Sequence, residues 1–68
     1  MKGSSSAVQQ IITAFNGEEE LGNCDGWLVT FQNQKDASSA ILLINMLNGW
    51  HAIEHPNILH MILIQKGV

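Results

Sequence analysis

The sequence predicts a small α/β domain in the order helix, strand, helix, strand, and three observations carry that prediction. Trp27, Val29 and Phe31 alternate with Leu28, Thr30 and Gln32, the period of two expected of a half-buried strand. Ala37, Ala40, Ile41, Ile44 and Leu47 fall on one stripe at about 100° per residue, the face of a helix that packs on a sheet. Ile58 to Ile64 is almost continuously apolar, as expected of a strand covered on both faces. A strand–helix–strand succession predicts a right-handed βαβ crossover with its two strands parallel. Two strands alone would leave two edges and a bare face, so the sheet is expected to be completed by self-association.

In chain order, Ser4-Ser5-Ser6 offers N-caps for a first helix. Val8, Ile11, Ile12 and Phe15 recur at i, i+3, i+4 and i+7, with Gln9, Gln10 and Thr13 on the other side. Asn16-Gly17 ends this helix, which can pack beside the second on the same face of the sheet. Glu18-Glu19-Glu20 and the turn formers up to Gly26 read as a loop and a solvated charge run. After the strand from Trp27, an Asn33 cap with Asp36 in the first turn would satisfy orphan amides and complement the helix dipole. The second helix runs to Asn48, with Gly49 suited to a left-handed stop. Trp50 to Asn57 reads as an irregular connection broken by Pro56, with room for a short hairpin arm. Gln65 to Val68 is a polar end.

All 68 residues read as one domain, near the size at which a single core barely suffices. The chain is 46% hydrophobic and only 13% charged, a balance that favours assembly over a fully wetted monomer. Net charge is −3, with Lys2, Lys35 and Lys66 the only cations, so the electrostatic footprint of a phosphate-binding protein is missing. Cys24 stands alone and cannot form an internal disulfide, and no nearby residue would lower its pKa; it reads as inert. Neither a signal-peptide core nor an apolar run of membrane-spanning length is seen. The expectation is a soluble chain in the cytoplasm or otherwise inside the cell, with no membrane contact.

From Gly26 to Ile64 the chain resembles the second half of an RNA-recognition motif (RRM) domain. The similar pieces are Gly26 to Phe31 for the family's third strand, Asp36-Ala37 and Ala40-Ile41 through Leu47-Asn48-Gly49 for its second helix, and Ile58 to Ile64 for its last strand. Val8 to Phe15 with Asn16-Gly17 is similar to the family's first helix. The resemblance implies half of a ferredoxin-like fold and, for the family, binding of single-stranded RNA on the open sheet face. On this chain Leu28, Thr30, Lys35 and Lys66 would be the nucleic-acid contacts. The family's aromatic strand motif falls on Cys24 to Phe31, where its two base-stacking aromatics become Gly26 and Leu28 and its basic residue becomes Cys24. Too few residues precede Ser4 for the family's first strand, and the turn-rich stretch before Gly26 is a poor second one. A degenerate RRM-like nucleic-acid-binding domain is thus the alternative reading.

His51, Glu54 and His55, with His60 beyond, are the one group with metal-ligand chemistry; spacing of i, i+3, i+4 would converge on a zinc ion if it lay on a helix. Pro56 and Gly49 argue against a helix there, and surface histidines are the plainer reading. No serine or Cys24 stands beside a base, and no glycine loop carries a lysine, so no catalytic residue and no cofactor is assigned. Trp50 reads equally as a binding anchor or as a cap on the core. Leu42, Leu43 and Met46 lie off the helix stripe and need a cover. Together with Trp50, Leu59, Met61 and Ile62 they form the expected interface of a non-catalytic protein–protein interaction module whose partner is a second copy or another protein.

Overall fold

The computed structural model describes residues 6–23 and 26–67. Its elements are α1 (Ser6–Ala14), β1 (Glu18–Asn23), β2 (Gly26–Thr30), α2 (Gln34–Asn45), β3 (Trp50–Glu54) and β4 (Met61–Lys66). The strands make one antiparallel sheet in the order β1-β2-β4-β3. This is an α+β domain with four strands where the sequence suggested two. The expected caps at Ser4 and Ser5, and Cys24, lie outside the described residues.

Both helices pack on one side of the sheet. Val8 and Ile12 from α1 and Ala37, Ala40 and Ile44 from α2 bury against Trp27, Val29, Ala52, Ile62 and Ile64. Small residues on α2 are what let the helix approach the sheet closely. Ile11, Phe15, Ile41, Leu47 and Trp50 close the rim, half-buried. The Asn33 cap forms as expected: its side chain accepts the Asp36 N–H at 2.9 Å. At the other end α2 stops at Asn45, three residues short of the predicted end, and Gly49 takes φ 88° just before β3.

The end of α1 divides the work of Asn16-Gly17 between two residues. Asn16 adopts the left-handed φ of 58°, and the Gly17 N–H returns to the Ile12 carbonyl at 2.8 Å. Gly17 is required for space, since a Cβ there would stand 2.7 Å from Phe31 Cε2 and 2.8 Å from Val29 Cγ1.

Four expectations are corrected. Glu18–Asn23 is a strand, not a loop: its pairing with β2 supplies what its own residues lack, with a bulge at Glu20 and the Trp27 ring lying over Gly22 across the pair. Trp50–Glu54 is a strand too, held by Ala52 in the core opposite Ile64. The predicted parallel pair is antiparallel. Because β3 intervenes and reverses the chain, the crossover through α2 leads from β2 to β3, which run parallel with β4 between them. Finally, Ile58 to His60 belong to the preceding loop: His60 turns the chain at φ 65° and its carbonyl accepts the Phe31 N–H at 2.9 Å, so β4 starts at Met61.

Candidate functional site

Alternation along β4 sends Ile62 and Ile64 to the helices and Met61, Leu63 and Gln65 to the other side. Register then assembles that open face. Leu28 on β2 stands opposite Leu63 on β4, which stands opposite Ile53 on β3, giving an apolar row across three adjacent strands. Leu28 and Leu63 are half-buried by their neighbours and Ile53 is 44% exposed. Thr30 and Met61 flank the row on one side, and Gly26, Gln65 and His51 flank it on the other. No described helix covers this face.

The edges of the sheet are treated differently from its face. On β3, the Ala52 N–H donates to Asn45 Oδ1 at 2.7 Å and the Ala52 carbonyl accepts from Asn45 Nδ2 at 3.0 Å. The side-chain amide thus occupies the place a neighbouring strand would take. Nearby, the Trp50 N–H reaches the Leu47 carbonyl. The β1 edge is bulged and carries Glu18, Glu19 and Glu20, with Glu20 accepting from the Thr30 hydroxyl at 2.9 Å. Bulges and like charges blunt an edge against strand addition.

The residues expected at an interface separate into three places. Leu42, Leu43 and Met46 lie on the outward side of α2, with Leu42 65% and Met46 73% exposed. This stripe and the open sheet face are on opposite sides of the molecule. Leu59 is exposed in the loop that joins β3 to β4. Ile62 is fully buried in the core and Met61 nearly buried, so neither offers surface; Leu63, not Ile62, is the outward residue of β4. Trp50 packs on Trp27 with ring centroids 5.0 Å apart at 34°, which makes it a lid on the core.

The nucleic-acid candidates are not brought together. Leu28 and Thr30 are on the open face, Lys35 is exposed on α2 behind the sheet, and Lys66 ends β4 with the parity of its helix-facing residues. His51, Glu54 and His55 do not converge either, because β3 is extended. His51 and His55 are roughly 13 Å apart along such a chain, while Glu54 points to the other face and is engaged by Gln34 Nε2. Among the described residues no group of three His, Cys, Asp or Glu could hold a metal ion. Likewise, no described helix is long and apolar enough to cross a membrane.

Ile53, Leu63 and Asn45 were missed by sequence reasoning. Period-two alternation over Trp50–Glu54 would have pointed to Ile53, whereas nothing local marks Asn45 as the partner of Ala52. Comparison with protein-family models, with curated proteins and with solved structures finds no match.

Proposed function

We propose that this chain is a small protein–protein interaction module that acts as a homo-oligomer, without catalysis. The observation that carries the reading is the apolar row Leu28, Leu63 and Ile53 on an uncovered sheet face. A contiguous apolar patch with a polar rim is the usual mark of a contact surface. The closed β3 edge and the acidic, bulged β1 edge argue for association through faces instead of edge-to-edge extension. The low charge content supports the same reading, and the unpaired cysteine suits an intracellular setting.

We read the architecture as ferredoxin-like, supported by the strand order and by both helices lying behind one antiparallel sheet. That order is also what favours the second reading, a degenerate RRM-like nucleic-acid-binding domain. Against it, among the described residues the open face offers no Phe, Tyr or Trp ring for stacking and no lysine. Salt-sensitive, saturable binding of mixed-sequence oligonucleotides in a fluorescence-anisotropy titration would favour that alternative.

Sedimentation velocity over a roughly hundredfold dilution tests the module. The wild type is expected to associate, Leu63→Asp to be a folded monomer, and Leu42→Asp to associate like the wild type. A wild type that is monomeric throughout overturns the proposal; loss of assembly in Leu42→Asp alone would move the interface to α2.

A further inference from the structure

The loop between β3 and β4 opens with His55-Pro56-Asn57-Ile58. His55 Nδ1 accepts the backbone N–H of Asn57 at 3.0 Å and that of Ile58 at 3.1 Å. Pro56 has no N–H to satisfy, and the turn closes with the Met61 N–H directed at the Ile58 carbonyl at 3.4 Å. This is the arrangement of a helix N-terminus transposed into a loop: a capping side chain, a proline next, and the following two amides held by the cap. Ser, Thr, Asp and Asn usually do this, with oxygen acceptors. An imidazole nitrogen accepts only in the neutral tautomer that carries its proton on Nε2; protonated, both ring nitrogens are donors.

We propose that His55 is a titratable cap, which holds the β3–β4 loop in its closed form while the imidazole is neutral and releases it on protonation. With a proton on Nδ1, three N–H groups would face one another. The stabilisation is therefore present with neutral His55 and is lost when Nδ1 is protonated. Release is local, because the His55 N–H to Met61 carbonyl bond of 2.8 Å and the Phe31 N–H to His60 carbonyl bond of 2.9 Å anchor the loop by backbone alone. What is freed is the exposed tip with Ile58 and Leu59.

The open recess at this loop, about 300 Å³, brings Glu54 and His60 near His55. From α2, Gln34 reaches the recess and holds the Glu54 carboxylate, while Lys35 and Asp36 follow Gln34 in the first turn; the end of β2 contributes no titratable group. The inference is independent of the proposed assembly.

Backbone and imidazole NMR between about pH 8 and pH 5 tests it in the intact chain. The Asn57 and Ile58 amides are expected to shift in step with the His55 ring. Their hydrogen exchange, corrected for intrinsic rate, should accelerate by roughly 2- to 30-fold, the equivalent of losing one cap. His55→Asn retains an acceptor that does not titrate and should abolish the pH response, whereas His60→Ala should preserve it. Amides that stay fixed while the His55 ring titrates, or a response that survives in His55→Asn, would overturn the proposal.

Discussion

Replacing Asn45 by Ala isolates the interaction that closes the β3 edge. The side chain makes two hydrogen bonds to one residue, Ala52, at 2.7 and 3.0 Å, and Ala52 is only 1% exposed. Each such bond contributes about 0.5–1.5 kcal/mol net, and a buried group left unpaired loses more. Two effects work the other way. Water can enter the space vacated by the exposed Asn45 side chain, and Ala is favoured over Asn in a helix by at most about 0.7 kcal/mol. The balance is a loss of about 1–2 kcal/mol. For a domain of this size that lowers the thermal midpoint by roughly 4–16 °C. Thermal unfolding followed by far-UV circular dichroism measures the midpoint, and exchange of the Ala52 amide reports the site itself. If Asn45→Ala unfolds within about 0.5 kcal/mol of the wild type and the Ala52 amide stays equally protected, the amide is not sealing the edge.

Two further substitutions test the packing. Ile62→Asp places a carboxylate where exposure is 0%, and such burial costs several kcal/mol, comparable with the whole stability of a small domain; circular dichroism should report an unfolded chain, and a folded one would refute the core assignment. Gly17→Ala puts a methyl group 2.7–2.9 Å from Phe31 and Val29, overpacking worth about 1–3 kcal/mol, and an unchanged urea midpoint would show that α1 meets the sheet less closely than described.

How much of this was readable in advance differs from element to element for physical reasons. β2 and α2 were legible because their signals are local: the alternation of Trp27, Val29 and Phe31, the Asn33 cap, the stripe from Ala37 to Leu47. β1 was not, because Glu18 to Glu20 followed by Gly22 carry no strand preference and become a strand only by pairing with β2. β3 was hidden by its brevity, with Ala52 the one buried side chain between Gly49 and Pro56. In β4 an unbroken apolar run conceals parity. The turn at His60 sets which residues face inward, so Ile62 looked available and Leu63 did not stand out. The His55-Pro56 pair could have suggested a cap from the proline rule, but histidine is not among the residue types that rule names.

The place of β4 in the sheet bears on how the chain acquires its structure during synthesis. The strand that is last in sequence is interior to the sheet, hydrogen-bonded to β2 on one side and β3 on the other. Until it emerges, β1 and β2 can form a local hairpin, but β3 has no strand to pair with. The core also lacks Ile62 and Ile64. A chain growing at roughly 5–20 residues per second therefore has the residues of both helices and of β1 to β3 synthesised without a closed core until β4 arrives. Closure joins residues far apart in sequence, such as Gly26 with Gln65, and high contact order of this kind slows folding. The vulnerable interval for this domain is the one just before β4 leaves the ribosome, when the apolar residues of α1, α2 and β2 have been synthesised and have nothing to close over them.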